Sequence, residues 1–215
     1  MGINRLKKIY NIFKTFFKKN LETNLNKYDT YDAYIKHQKV KTTDQNRIHK
    51  WQNDEWEIKY SGFREIFSRN DKYIKNNNNA ICLGSRTGQE VKALQDLGLN
   101  GIGVDLVAFP PYTDEGDIHN LKYDDSSFDF IFTNIMDHSL NPKIFILEME
   151  RVCIIQGIII VHLQLGENID RYTENIIHNP KSIISLFNKC KLLESKPINN
   201  LHDKMNWECI FERVI

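Results

Sequence analysis

The fold is decided by residues 80–91, AICLGSRTGQEV, together with residues 101–105, GIGVD. They predict a short apolar strand, a glycine loop, a helix and a second apolar strand that ends in a carboxylate, Asp105. Free amides at a helix start favour an anionic group, and an acid about 20 residues beyond a glycine loop is placed to hold a ribose diol. The stretch therefore indicates the first half of an α/β domain that binds a nucleoside.

Length and composition are those of an ordinary globular chain. The 215 residues are 41% hydrophobic and 27% charged, which allows one medium domain with an added helical segment. The 29 basic and 28 acidic side chains give a net charge of +1. Because this balance does not favour a broad polyanion-binding surface, the chain carries no strong nucleic-acid signal.

The cysteines form no CxxC pair, and each lies in an apolar context. We expect buried free thiols at Cys82, Cys153, Cys190 and Cys209, as in a reducing compartment. No apolar run approaches the ~18 residues of a membrane span, and the first residues lack the apolar core of a signal peptide. The expected localisation is cytoplasmic.

An asparagine run, residues 76–79, separates two patterns along the chain. Residues 1–75 are predicted to form an N-terminal helical segment, and residues 76–215 a domain in which short apolar strands alternate with helices. Residues 3–17 repeat apolar side chains at helical spacing, with lysines on the remaining faces. This basic amphipathic helix could make a weak membrane-surface or protein contact, or pack on its own domain; the sequence leaves both open.

A second helical region is predicted over residues 30–69. Its aromatic side chains recur every three to five positions, at Trp51, Trp56, Tyr60, Phe63 and Phe67. Such a stripe predicts an apolar face that docks on the α/β domain, and a lid over an aromatic substrate is the alternative.

The remaining elements follow from short apolar runs and prolines. Strands are predicted near residues 79–83, 101–105, 113–117, 128–133, 157–163, 191–196 and 207–213. Helices are predicted near residues 88–97, 142–153 and 180–188, and a long loop over residues 166–179. Pro142 and Pro180 suit the first turns of their helices, where a missing N–H costs nothing.

Further candidate site residues follow the later strands. Asp117, predicted to end the third strand, could accept a hydrogen bond from an adenine amine while Ile118 packs on the ring. Residues 106–111 form an apolar run that ends in two prolines and suits a pocket wall. After the fourth strand come Asp137 and His138.

Taken in order, these motifs resemble the class I S-adenosylmethionine-dependent methyltransferases, especially the type 11 branch. The matching motifs are the loop Gly84–Gly88, Asp105, Gly116-Asp117, the turn Ser126-Ser127-Phe128-Asp129 and the helix-turn 147–157. The resemblance implies an α/β fold: a Rossmann-like seven-stranded sheet with helices on both faces and an antiparallel last strand, residues 207–213. It also implies S-adenosylmethionine as the cofactor.

The resemblance further implies which residues line that cofactor. They are Gly84, Ser85 and Gly88 for the methionine portion, Asp105 for the ribose, Leu106, Asp117 and Ile118 for the adenine, and Thr133 and Asn134 beside the sulfonium. Cys82 stands where the family has an acid, Arg86 where it has a second loop glycine, and Gln156 in place of a glycine-rich turn. The guanidinium of Arg86 could donate two parallel hydrogen bonds to the methionine carboxylate, or it could point to solvent.

The resulting hypothesis is methyl transfer to a small-molecule or peptide-borne acceptor. Asp137 and His138 are the candidate catalytic residues, because a histidine with a pKa near ~6.5 can take a proton from the acceptor. The alternative is a helix-capping Asp137 beside an exposed His138. A degenerate methyltransferase fold used for binding or scaffolding is the second hypothesis, motivated by Cys82 and Arg86. A nicotinamide-dependent dehydrogenase is disfavoured by the motifs after the third strand.

Overall fold

A mixed sheet lies at the centre of the computed structural model, which describes residues 20–75, 78–200 and 203–215. In chain order the strands are β1 (Leu21–Thr23), β2 (Asn79–Leu83), β3 (Asn100–Asp105), β4 (Thr113–Glu115), β5 (Phe128–Thr133), β6 (Cys153–Leu163), β7 (Asn175–Ile177), β8 (Cys190–Pro197) and β9 (Trp207–Arg213). Seven of them form the main sheet in the order β4-β3-β2-β5-β6-β9-β8. The predicted basic helix over residues 3–17 lies outside the described residues.

The sheet has the direction pattern that the resemblance implied. Strands β4, β3, β2, β5 and β6 pair in parallel, and β9 is antiparallel to both β6 and β8. The central strands are continuous apolar runs because both of their faces are covered. The predicted α/β fold with an antiparallel last strand is confirmed.

The helices cover both faces of the sheet. They are α1 (Tyr31–Thr43), α2 (Gln45–His49), α3 (Trp56–Arg69), α4 (Gln89–Gln95), α5 (Pro142–Val152) and α6 (Lys181–Ile184), with a π-helical turn at Lys50–Asp54. Thr30 and Asn141 cap α1 and α5, since their side-chain oxygens accept from the N–H groups of Ala33 and Ile144, each at 3.2 Å.

Two apolar cores hold these layers together. On one face, Phe63 and Phe67 of α3 pack against Phe132 of β5, and the rings of Phe67 and Phe132 meet edge to face at 5.2 Å. On the other face, Phe145 and Met149 of α5 are fully buried against the sheet. The aromatic stripe of residues 51–67 therefore docks largely as predicted.

The resemblance motif in α5 has a structural role. Both oxygens of Glu148 bind the Arg151 guanidinium, at 2.8 Å each, and Arg151 also donates to the carbonyl of Tyr123 at 2.7 Å. Glu148 accepts from the Leu121 N–H at 2.7 Å. This network ties α5 to the segment between β4 and β5.

Several predicted boundaries are wrong. The predicted loop over residues 166–179 contains β7, which pairs antiparallel with β1 of the N-terminal segment. Strands of three residues give too little alternation to be recognised, and this pairing is remote in sequence. The third predicted strand corresponds to β4, which ends at Glu115. Asp117 was predicted to end that strand and lies instead in the turn after it. Strand β6 begins at Cys153 and is irregular before its regular pairing resumes at Ile158.

Among the described residues, no helix is long and apolar enough to cross a membrane, and no group of side chains could hold a metal ion. The cysteines are free, as expected. Cys190 is half-buried, while Cys82, Cys153 and Cys209 are buried.

Gln156 lies in the irregular first part of β6, where the family has glycines, and its φ of 66° is in the left-handed region. A side chain there costs roughly 1 kcal/mol, since left-handed backbone crowds Cβ. We expect Gln156→Gly to stabilise the protein by about 0.5–1 kcal/mol in guanidinium unfolding. Gln156→Ala is the control, because it keeps Cβ; an equal gain from both variants would contradict the explanation.

Candidate active site

The glycine loop turns sharply between β2 and α4. Gly84 and Gly88 have φ values of 83° and 90°, and a Cβ at Gly88 would lie 2.2 Å from Cβ of Tyr112. The side chain of Tyr112 therefore leaves no room for a Cβ at residue 88, and Gly88 lines neither of the two cavities described below. The Ser85 hydroxyl is buried against that of Thr113, at 3.0 Å. Arg86 takes up left-handed backbone, with φ of 46°.

Asp105 binds the backbone of the glycine loop. Its carboxylate accepts from the backbone N–H of Arg86 at 2.9 Å and of Leu106 at 2.7 Å. Burial raises the pKa of Asp105, and these two N–H groups and the charge of Arg86 oppose that shift. Asp105 lines a cavity of about 60 Å³ together with Leu106, Asp117 and Ile118. The structure thus brings together the residues expected at the ribose and the adenine.

Asp117 is already engaged by the N-terminal segment. Its carboxylate accepts from the Tyr31 hydroxyl at 2.6 Å and from the His119 N–H at 2.8 Å. Burial would raise the pKa of Asp117, but the hydrogen bonds from His119 and Tyr31 outweigh it and lower the pKa. Helix α1 therefore covers the nucleoside end of the site.

A larger cavity of about 460 Å³ opens on the other side of the loop. Its walls come from α1–α3, the glycine loop, and the segments after β5 and β6. Gly84, Lys41, Arg86 and His138 line both cavities, so the two are adjacent at the loop. Asn134 lines the larger cavity, whereas Thr133 is buried and its hydroxyl donates to the carbonyl of Leu83 at 3.0 Å.

Asp137 and His138 lie in a 3₁₀ turn after β5 and face the larger cavity. The His138 Nδ1 lies 2.9 Å from the carbonyl oxygen of Tyr172, and Oδ2 of Asp137 lies 3.7 Å from Nε2. A carbonyl only accepts, so the ring proton lies on Nδ1 and Nε2 carries a lone pair. Burial lowers the pKa of His138, which keeps the ring neutral. The alternative of an exposed histidine is wrong.

Lys41 was missed by the sequence analysis, although it completes this arrangement. Its Nζ lies 2.9 Å from Nε2 of His138 and 3.9 Å from Oδ2 of Asp170. Burial lowers the pKa of Lys41 to about 7, and the nearby charge of Arg86 adds to the effect. No local signal pointed to it, because α1 is a polar helix in which Lys41 resembles a surface lysine.

Arg86, a predicted site residue, lines the larger cavity together with Glu90, which was not predicted. The Arg86 guanidinium lies 5.1 Å from the ring centre of Trp51, so it stacks on an aromatic face in the cavity wall. Glu90 is buried in the same wall, and burial raises its pKa to about 8. Glu90 is therefore mostly uncharged at neutral pH.

Comparisons with known proteins agree with this geometry. Residues 81–161 match the model of the type 11 methyltransferase domain. The 1,6-didemethyltoxoflavin-N1-methyltransferase of Burkholderia thailandensis, solved with S-adenosylhomocysteine, is 10% identical with a TM-score of 0.67, over 91% of this chain and 95% of that one. A putative methyltransferase of Haloferax volcanii, solved with the methyltransferase activator Trm112, is 14% identical and has a TM-score of 0.60. The match covers 88% of this chain and 100% of that one. None of the curated proteins matches the chain significantly.

Residues 81–161 thus match a methyltransferase domain, and the order and directions of the seven strands are those of the class I S-adenosylmethionine-dependent methyltransferase fold. Within that class, the segment from β2 to β6 is a type 11 methyltransferase domain. The match to this domain indicates S-adenosylmethionine as the cofactor. The residues present fit that cofactor, because backbone amides, one carboxylate and apolar walls adjoin at the two cavities.

Proposed function

We propose that the chain transfers a methyl group from S-adenosylmethionine to a small-molecule or peptide-borne acceptor. The observation that carries the proposal is the buried His138–Lys41 pair, which opens into the same cavity as Gly84 and Asn134 of the cofactor site. A group able to take a proton thus stands beside the expected position of the sulfonium.

The cofactor supplies an activated methyl group, so the chain has mainly to hold and orient the reactants. Arg86 and Asn134 would face the methionine end, Asp105 the ribose, and Leu106, Asp117 and Ile118 the adenine. Holding two reactants in line can supply up to about 7–11 kcal/mol of the barrier. If the acceptor is a hydroxyl or a protonated amine, Nε2 of His138 takes its proton, and Asp137 stabilises the imidazolium that forms.

Labelled methyl transfer to a cell extract tests the proposal, together with calorimetry of S-adenosylmethionine binding. Absence of binding at about 1 mM cofactor would contradict it. Binding without transfer would favour the scaffolding alternative. One observation supports that alternative: the Tyr31 hydroxyl already occupies the carboxylate expected to hold the adenine.

Asp105→Ala should weaken cofactor binding at least about tenfold, or about 1.4 kcal/mol, because it removes the expected ribose acceptor. Calorimetry with S-adenosylhomocysteine measures the loss. Asp114→Ala is the matched control, since that carboxylate is exposed on the neighbouring strand β4. Equal affinities for the two variants would remove Asp105 from the site.

The pH dependence of the reaction should reflect Lys41. Protonated Lys41 donates to Nε2 of His138 and occupies the lone pair needed for catalysis. Because the pKa of Lys41 is about 7, we expect the rate to rise as pH increases through about 7 and then level off. Lys41→Met should remove this inflection, and Lys39→Met on the same helix should keep it. A flat profile for the unmodified protein would contradict proton removal by the pair.

A further inference from the structure

Five cationic side chains line the larger cavity: Lys59 pairs with Glu55 and Lys204 donates to Asn168, and the other three come from separate parts of the chain. Lys41 comes from α1, Arg47 from α2 and Arg86 from the glycine loop. Lys41 Nζ and the Arg47 guanidinium each lie 5.4 Å from the ring centre of Tyr172. Both arginines are half-buried, so their guanidinium groups are held at the cavity wall and partly withdrawn from water.

No carboxylate of the described residues binds either arginine directly, although the charges of Arg86 and Asp105 act on each other. Among the described residues, neither the Arg47 nor the Arg86 guanidinium has a hydrogen-bond acceptor or an ion-pair partner. Glu55 binds Lys50 and Lys59, at 2.7 and 2.8 Å.

Three of the other four acids of the cavity also have partners. Asp137 lies 3.7 Å from Nε2 of His138, and Asp203 accepts from the Met205 N–H at 3.0 Å. Asp170 accepts from the Tyr172 N–H at 2.7 Å and lies 3.9 Å from Lys41, and Glu90 is mostly protonated. The positive charges also repel one another, since Arg86 and Arg47 both lower the pKa of Lys41. A bound anion would relieve this repulsion and satisfy the free N–H groups.

The two guanidinium groups differ in position. The backbone of Arg86 is tied to Asp105 in the glycine loop, which places its side chain at the cofactor end. Arg47 belongs to α2 and lies over the ring of Tyr172, whereas Arg86 lies over the ring of Trp51. A guanidinium group held against an aromatic ring presents paired N–H donors, which suit the oxygens of a carboxylate or a phosphate.

We propose that the methyl acceptor is anionic and that Arg47 binds its carboxylate or phosphate group at the Tyr172 wall of the larger cavity. The proposal rests on the proposed methyl transfer. It makes Arg47 a determinant of acceptor specificity, while Arg86 serves the cofactor.

Anion binding is tested on the protein loaded with S-adenosylhomocysteine, titrated in a calorimeter with benzoate and, separately, with inorganic phosphate. We expect one of the two to bind more tightly than about 10 mM, and Arg47→Gln to weaken it at least about tenfold. The better probe identifies the anionic group as carboxylate or phosphate. Arg64→Gln is the control, because Arg64 lies on α3 and does not line the cavity.

Three outcomes would overturn the proposal. They are the binding of neither anion, an unchanged anion affinity in Arg47→Gln, and an equal loss of S-adenosylhomocysteine affinity in that variant. The last result would place Arg47 at the cofactor.

Failure of the proposed methyl transfer is seen separately, as absence of any labelled product from an extract. When product forms, the proposal requires that it be retained on an anion exchanger and that Arg47→Gln raise KM more than it lowers kcat.

Discussion

Replacing His138 by glutamine should reduce the rate of methyl transfer by about 10²–10⁴-fold, the usual contribution of a positioned general base. The variant keeps a polar side chain of similar size in the cavity but cannot accept a proton at neutral pH. Because His138 touches the Lys41 side chain and not the loop amides, affinity for S-adenosylhomocysteine should stay within about twofold.

The rate is measured as labelled methyl transfer to extract, with calorimetry on the same preparations. His178→Gln is the matched control, since that histidine pairs with Glu22 on the two-stranded sheet and does not line the cavity. Asp137→Asn should give a smaller loss, because its carboxylate acts on the imidazolium from 3.7 Å. Unchanged transfer by His138→Gln would show that the acceptor needs no base from this chain.

The sheet could be predicted because its strands are strong local signals. The runs at β2, β3 and β5 are apolar, short and bounded by glycine or polar turns, and their bounds were predicted to within one residue. Strands β1 and β7 gave no such signal, since each has three residues and they pair across the chain. Pairing between distant short segments depends on the finished fold, which a local pattern does not contain.

The residues predicted for the site from local motifs lie at the two cavities in several cases. Asp105 and Ile118 line the smaller cavity and His138 lines both, while their binding and catalytic roles stay predictions. The partner of His138 was not predicted, because Lys41 lies 97 positions earlier and reads locally as a surface lysine of a polar helix. Likewise, the Tyr31–Asp117 bond spans 86 positions. Such contacts arise when the helical segment packs on the sheet.

A second buried network, which concerns stability, joins β6 and β9 to the end of α3. Glu208 is fully buried, and its Oε2 accepts from Nε2 of His162 and from Nδ2 of Asn70, each at 2.9 Å. Arg69 and Lys196 approach the same carboxylate at 3.4 Å. Burial alone would raise the pKa of Glu208, but the hydrogen bond from His162 and the charge of Arg69 lower it to about 2.

Breaking this network should be costly. Glu208→Ala leaves the buried groups of His162 and Asn70 without their acceptor, so we expect a loss of about 3–5 kcal/mol in the free energy of unfolding. Glu208→Gln keeps the shape and one acceptor oxygen, and should cost about 1–3 kcal/mol. Urea unfolding measures both, and the glutamine variant serves if the alanine variant does not fold. Glu212→Ala, a partly exposed acid on the same strand, is the control.

The pH dependence of stability separates the charge of Glu208 from its shape. The folded pKa of about 2 lies below the ordinary value of 4.5, so ionised Glu208 stabilises the fold above about 4.5. That contribution is lost as pH falls from about 4.5 toward 2. The difference in unfolding free energy between the unmodified protein and Glu208→Gln should therefore shrink over this range, whereas Glu212→Ala should show no such change. A difference that stays constant as pH falls would mean that packing, rather than the carboxylate charge, accounts for the role of Glu208 between β6 and β9.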